Sequence, residues 1–592
     1  MLLGCVVVLM LSGIVMAQTV AVAEQMQWFK GAKFGMFIHF QVPRNGEFDW
    51  SNLDTAEWVR IAKAGGMKYI TLTTKHSSGI PLWESAISDR DITDRTSFKR
   101  DIIGELKAAC MAEGLRMGSY FNIGGPSNPG SDITGFVDTL HGMMNELCEK
   151  HQPCLIWFDG GSGFRDPAHK PLLRRKELVD MLHSYGTLSN SRLGDDDAMR
   201  YVNYLTMNDN MAPAFNLGVQ WETAVTITED GSWHFTDNAE LRSAQDLLHR
   251  LINAAGNGGN LLLNVGPDKY GIIPETMASR LKTMGDWLKK NGEAIYGTEP
   301  GPYRYEISWG SITQRKGKDS TRLYLNVVDW PKVGKLTLFG VNNPVLKASL
   351  LATGAAIKSE SKFDVSSGQT LITLDIPKDA PDEYVSVIKL VVAGTVSMDP
   401  AFMQLNDGKV IMGTYNATIH DVEYVPGKPT KAIDMKMFTV PDRRAPLPSD
   451  YTGPWDYQMY KKPGEGIMPS RGITVSGFQT KGQALSWDFR VYKPGTYKVV
   501  VVCHVNKGQA WNVEGRVRAH VAGQSVENEL IEDKRVVPHT MNEKILDLHA
   551  ALGTVEINSA GAHTLTLEVA SDFTGAIPRF RSVMLVPVTQ DN

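Results

Sequence analysis

The stretch CLIWFDGG, Cys154 to Gly161, carries five apolar residues straight into an aspartate and two glycines. Aromatic and β-branched residues in a short run mark a buried strand, and Asp before Gly is ordinary chemistry for the turn that ends one. Such an aspartate either closes an Asx-turn or presents a carboxylate at the strand end. The sequence on either side bears on which.

From Lys33 to about Thr298, short apolar strands alternate with amphipathic helices, the pattern of βα units around a parallel sheet. The strands read as KFGMFIHF, KYITLTTKH, RMGSYFN, CLIWFDG, TLSNSR, VQWE and NLLLNVGP, and SRLKTMGDWLKKNGEAIY is the closing helix. Seven strands stand close to the eight of a TIM barrel. The pattern predicts an α/β fold, a TIM-like (β/α) barrel over residues 24–300 followed by two β-sandwich domains. In such a barrel the C-terminal strand ends face the active site, and here they carry His39, His76, Tyr120, Asp159, Arg192, Glu222 and Asn264. Any one of these can be a loop anchor. Together they favour chemistry, and they make Asp159 a candidate nucleophile.

Beyond Thr298 the helical period disappears. Segments such as RLYLNVVDWP and QTLITLDIP predict a β-sandwich over 301–395, and PDRRAPLPSD marks a linker region over 396–450. Alternating strands from 451 to 592 predict a second, carbohydrate-binding-like sandwich.

The 592 residues include 61 basic and 65 acidic side chains, a net charge of -4, with no run of one sign. That balance argues against a nucleic-acid footprint and against a polybasic membrane patch, leaving a neutral small molecule or glycan as the expected partner. Thirteen Trp and eighteen Tyr suit stacking on sugar rings, as they suit a large core. The N-terminal MLLGCVVVLMLSGIVMAQTVAVAEQ has the length of a signal-peptide core and predicts export over residues 1–23, to the periplasm or medium, with no integral membrane span. Cys5 in LLGC resembles a lipoprotein box, but it has no apolar core ahead of it unless the true start is upstream. Cys110, Cys148, Cys154 and Cys503 show neither zinc-ligand spacing nor a disulfide framework, so no metal or cofactor is expected.

Several segments resemble one family, the α-L-fucosidases of glycoside hydrolase family twenty-nine: AKFGMFIHF, GGMKYITLTTKH, FKRDIIGEL, LIWFDG, GGNLLLNVGP and WLKKNGEAIYGT. The resemblance implies a retaining exo-α-L-fucosidase, or a related α-L-glycosidase, that releases a terminal L-fucose-like sugar through a glycosyl-aspartate. The aspartate of WFDG, Asp159, would be its nucleophile. Retention requires a second carboxyl group about 5 Å from the first, as acid and then base. His39 and His76 are expected to donate hydrogen bonds to sugar hydroxyls. Trp50 and Tyr120 are expected to supply a stacking wall, and Arg192 to hold the carboxylates or a hydroxyl.

The departures from the family cluster at the sugar site. HFQ (His39 to Gln41) replaces the usual HWG, and His76-Ser77-Ser78 loses the second of two adjacent histidines. Asn208 stands where the family carries its acid glutamate, and an amide cannot donate that proton. Three replacements remain: Asp209, one residue on and the first choice; Glu222; and the trio Asp195 to Asp197. The competing class is a catalytically weakened glycan-binding protein on the same scaffold.

Overall fold

The computed structural model describes residues 21–41, 50–124, 132–164, 169–193, 201–213, 216, 218–303, 307–399, 401–405, 407–414, 417–420, 433–434, 468–470, 474–476, 478–537 and 545–588. The chain divides into two units. The first comprises Met1–Asn210, Gln220–Ala254 and Gly259–Gly297, and the second the remainder. Within the export signal predicted over 1–23, residues 1–20 lie outside the described residues, and α1 spans 21–32.

Eight parallel strands form the first unit's sheet: β1 (Phe34–Ile38), β2 (Tyr69–Lys75), β3 (Arg116–Asn122), β4 (Leu155–Asp159), β5 (Leu188–Ser189), β6 (Leu205–Thr206), β7 (Trp221–Thr226) and β8 (Gly259–Val265). Their order, β5-β4-β3-β2-β1-β8-β7-β6, becomes a closed barrel through one parallel bridge between Asn190 and Tyr204. Helices α2 (Thr55–Ala64), α3 (Ile92–Arg95), α4 (Ile102–Ala112), α5 (Ile133–His151), α6 (Arg175–Ser184), α7 (Ala244–Gly256) and α8 (Glu275–Asn291) lie between or after the strands. Capping fixes several of their starts: the carboxylates of Asp54, Asp101 and Asp132 each accept a backbone N–H of the first turn.

Alternate residues of each strand point inward. Phe37, Tyr69, Tyr120, Leu155, Trp157, Leu188, Tyr204, Ala224 and Leu262 form one buried cluster, which Phe29 and Ala32 of α1 join. Large rings need room in so narrow a barrel. Gly35 supplies it, since a Cβ there would lie 2.4 Å from the Tyr69 ring. One irregularity sets the site. Between Thr73 and Lys75 the β2–β3 register shifts, a bulge that reverses the alternation. Tyr69 and His76 are seven positions apart, yet both rings pack against inward-facing aromatics, Phe29 and Tyr120 respectively.

Three expectations change here. TLSNSR supplies only two strand residues, β6 was not read at all, and the strand seen in VQWE begins at Trp221 and runs on to Thr226. Glu222 is therefore near the start of β7, not at its end.

In the second unit a sandwich pairs one sheet of β9 (Glu299–Pro300), β10 (Gly310–Lys316), β11 (Ser320–Val327), β13 (Val345–Leu350) and β16 (Ser386–Ala393) with another of β12 (Lys335–Phe339), β14 (Lys358–Asp364) and β15 (Gln369–Asp375). Ile312, Leu323, Leu325, Leu338, Ile372 and Leu374 are among the residues of its core. A second sandwich follows, built on strands such as Ala484–Val491, Gly495–Asn506, Ile545–Ile557 and Arg579–Pro587. The linker expected over 396–450 needs correction at its start. Phe402–Met403 and Thr418–His420 pair with Ala484–Val491, and Val410–Gly413 pairs with Arg579–Pro587. Strands of two to four residues are too short to show a period, which is why they read as linker. PDRRAPLPSD lies outside the described residues.

Candidate active site

Asp159 is the last residue of β4, and the turn after it is built for close approach. Gly160 has φ +73°, and a Cβ there would sit 2.2 Å from the Asn122 carboxamide oxygen, so only glycine fits. The Asp159 carboxylate is held by two donors. Tyr120 Oη donates to Oδ2 at 3.0 Å, and Arg192 Nη1 lies 3.4 Å from Oδ1. The Tyr120 ring stacks on Trp157 (5.7 Å, 20°) and on His76 (5.1 Å, 15°). Its hydroxyl is pushed well above 10 by burial and by the Asp159 charge, so it remains a donor.

Arg192 follows β5 and lies over the Trp157 indole, 4.6 Å from the ring centroid. Its second terminal nitrogen donates to Met207 O at 2.9 Å and to the Asp209 carboxylate. Burial works against this cation, but Asp209 and Asp159 outweigh it and hold its pKa above the ordinary arginine value. Asp209 is half exposed on the loop after β6. Its neighbour Asn210 anchors that loop: at φ +58° its side chain accepts the Thr226 backbone N–H at 2.8 Å, and its own N–H reaches Ala224 O.

Across the barrel mouth, His39, His76 and His234 form a triangle of rings 5.4–5.6 Å apart. Asn264 donates through Nδ2 to Trp233 O at 2.8 Å, so its oxygen faces His39 Nδ1 at 2.5 Å. His39 therefore carries its proton on Nδ1. Burial holds the ring well below 6.5, reinforced by His76 and His234 and opposed by Asn264. A neutral imidazole with Nδ1–H offers Nε2 as an acceptor. In this tautomer Nε2 is an acceptor, whereas the sequence reading expected His39 to donate a hydrogen bond. Trp233 packs against His39 (4.9 Å), and Gln41 Nε2 lies 3.3 Å from His234 Nε2.

Trp50 and Glu222 are enclosed by other side chains. Trp50 is buried against Phe40 (4.3 Å) and Phe98 (5.4 Å), a packing position rather than a sugar wall. Glu222 is fully buried in the barrel interior, where Tyr69 Oη (2.6 Å) and Trp157 Nε1 (2.9 Å) donate to its two oxygens. Burial raises it to about 7 despite both donors. The trio Asp195 to Asp197 lies outside the described residues. Trp233, His234, Asn122 and Lys75 were missed by sequence reasoning. The first two sit on the loop after β7, where a Trp-His pair in a βα loop was the only available signal. Lys75, buried and lowered to about 8 by that burial, donates to Asn122 O at 2.7 Å and so ties the ends of β2 and β3. Among the described residues no group of His, Cys, Asp and Glu is placed to hold a metal ion.

A strand-end carboxylate held by Tyr120 and Arg192, with imidazoles and the Trp233 indole at the same barrel mouth, suits a glycosidic centre. A family model described as alpha-L-fucosidase matches residues 45–293. The chain is 30% identical over 367 residues to the plasma alpha-L-fucosidase of Rattus norvegicus, a match covering 52% of this chain and 79% of that protein. The alpha-L-fucosidase structure from Vibrio sp. strain EJY3 aligns with TM-score 0.74 at 22% identity, over 95% of this chain and 98% of that one. An alpha-L-fucosidase from Bacteroides thetaiotaomicron, solved as a covalent intermediate trapped with 2-fluoro-fucosyl fluoride, aligns with TM-score 0.55 at 23% identity, over 62% and 96%. The two structures share the fold, and the rat protein adds the sequence. The chain thus belongs to the alpha-L-fucosidase family of glycoside hydrolases.

Proposed function

We propose that this hydrolase removes a terminal α-L-fucose with retention, Asp159 acting as nucleophile and Asp209 as acid and base. The observation that carries the reading is one guanidinium, Arg192, holding both carboxylates at the barrel mouth. Neighbouring nitrogens of a guanidinium share one carbon, which favours the short carboxylate spacing of retaining enzymes, about 5–5.5 Å, over the wider inverting one. In the first step an Asp159 oxygen bonds to the anomeric carbon, the glycosidic C–O bond breaks, and the departing oxygen takes a proton from Asp209. In the second, Asp209 takes a proton from water, whose oxygen displaces Asp159 from the same carbon. Arg192 holds Asp209 at the mouth. The first step requires that pair to part, leaving Arg192 to Asp159. Tyr120 holds the other Asp159 oxygen and fixes the direction of attack. His39 Nε2 accepts from a sugar hydroxyl, and Trp233 walls the ring.

The test is trapping with 2-fluoro-fucosyl fluoride followed by peptide mass analysis. A fluorofucosyl adduct on Asp159 supports retention through this residue. An adduct elsewhere, or steady turnover without one, overturns it. Export is the further reading for the apolar N-terminus, checked by N-terminal sequencing of protein recovered outside the cytoplasm. For the C-terminal sandwich the further reading is carbohydrate binding, checked by retention of the intact chain on immobilised glycan.

A further inference from the structure

The inner face of a sandwich strand is normally apolar. Strand β14 breaks that rule. Ser359, Ser361 and Phe363 stand opposite Leu374, Ile372 and Thr370 of β15, so they share the face on which Ile372 and Leu374 enter the core. Two of these three inward positions are hydroxyls, and the third, Phe363, is 59% exposed. The strand's charges, Lys358, Glu360, Lys362 and Asp364, take the opposite alternation.

This edge of the sandwich is left open. β14 is an outer strand of its sheet and β13 an outer strand of the other, and a groove of about 450 Å³ lies beside them, within the range of ligand pockets. Ser359, Ser361 and Thr370 bring hydroxyls to its lining, and Phe363, Val345 and Pro344 bring apolar surface. Asn342, also at the lining, accepts from Thr370 Oγ1 at 2.8 Å, which orients its carboxamide and leaves two N–H donors on the same group. Among the described residues, no charged side chain lines it.

We propose that this groove binds an uncharged sugar unit of the glycan, a second carbohydrate site separate from the barrel. An exposed aromatic face flanked by hydroxyls and an amide matches a pyranose, which has a C–H face to stack and hydroxyls to bond on its rim. The absence of charge in the lining disfavours phosphate, carboxylate and polycationic ligands. A peptide strand or a second copy of the chain adding to the two outer strands is the competing occupant, since an unpaired strand edge accepts backbone pairing.

The test uses the intact chain with L-fucose at saturating concentration to fill the barrel site. Binding of D-galactose, N-acetyl-D-glucosamine, lactose and 3′-sialyllactose is then followed by saturation-transfer NMR and calorimetry. The proposal expects one or more of the neutral sugars to bind at ~1 mM, and Phe363→Ala and Ser361→Val each to weaken that binding about tenfold. It also expects sialyllactose to bind no tighter than lactose. Both variants should hydrolyse a small aryl α-L-fucoside like the parent, which also reports that they fold. Absence of binding by every neutral sugar, or binding that neither substitution changes, overturns the proposal. Loss of self-association in Phe363→Ala with sugar binding untouched assigns the groove to strand pairing instead. The outcome does not depend on the role given to Asp159, because no probe sugar needs to be cleaved.

Discussion

Arg192 lies over the Trp157 indole, 4.6 Å from the ring centroid, while its terminal nitrogens reach Asp159 and Asp209. The indole orients the plane of the guanidinium, and the plane sets where the two carboxylates stand. Arg192→Lys keeps the charge but loses the fork and the stacking plane. Turnover on an aryl fucoside should fall by about 10–100-fold, the loss of one or two hydrogen bonds to charged groups. Activity equal to the parent would remove Arg192 from the site.

Asp159→Asn should lower turnover by several orders of magnitude with the fold intact, since an amide cannot form the ester intermediate. Azide should restore activity on an activated substrate and give a fucosyl azide of inverted configuration, to be read by NMR. Rescue with retained configuration, or activity like the parent, is the contrary result.

Asp209→Ala separates leaving groups. Protonation matters for a poor leaving group and little for a good one. Hydrolysis of a fucosylated oligosaccharide should fall by about 100-fold or more, while the first, glycosylating step on a nitrophenyl fucoside changes much less. Equal losses on both would assign Asp209 to holding Arg192 alone.

Glu222 gives a pH signature of stability rather than of catalysis. It is raised from 4.5 to about 7 by burial, so between these values the unfolded chain ionises it while the folded barrel keeps the proton. Its contribution is complete below about pH 4.5, declines as pH rises, and by about pH 7 roughly 3 kcal/mol has been lost. Glu222→Gln can bond both Tyr69 and Trp157 without a charge. Denaturant midpoints should show the variant gaining on the parent from pH 5 to pH 8. Parallel pH curves would mean that Glu222 is ionised in the fold.

The two sandwiches should not separate at 440. Phe339 of the first stacks on Tyr492 of the second (4.5 Å), Asp399 pairs with Arg490, and strands at 402–403, 410–413 and 418–420 need partners beyond 480. A chain ending at 440 should give less soluble protein than one ending at 395, measured by soluble yield and thermal midpoint. The opposite ranking would detach those strands from the second sandwich.

Where a strand was five or more residues long and ran up to a His or Asp, the apolar run was enough to place it, as with β1 and β4. It failed where a side chain does the work of a ladder. Asn190 bonds both backbone groups of Phe158, Asn203 Oδ1 accepts the Ser189 N–H, and Ser191 Oγ accepts that of Thr206, so β5 and β6 need only two residues each. Glu222 was misplaced because its strand was cut short at the residue itself. The tautomer of His39 was out of reach because it depends on Asn264, 225 residues away.

Among the described residues one bridge closes the barrel, and this bears on how its chemistry can change. Arg192 leaves β5 just past that bridge, and Asp209 follows β6 just across it. Few main-chain bonds cross this seam, so amides at 188–190 and 203–206 belong to the part of the barrel that opens first and should exchange with solvent ahead of those in β1 to β4. A loop fastened there by Asn and Ser side chains can be lengthened or recut by a residue without breaking a strand ladder. Asp159 stands on a rigid strand, whereas Asp209 hangs from a hem that can be let out, so that under the proposed roles a proton donor could stand at 209 rather than 208 with the barrel unchanged.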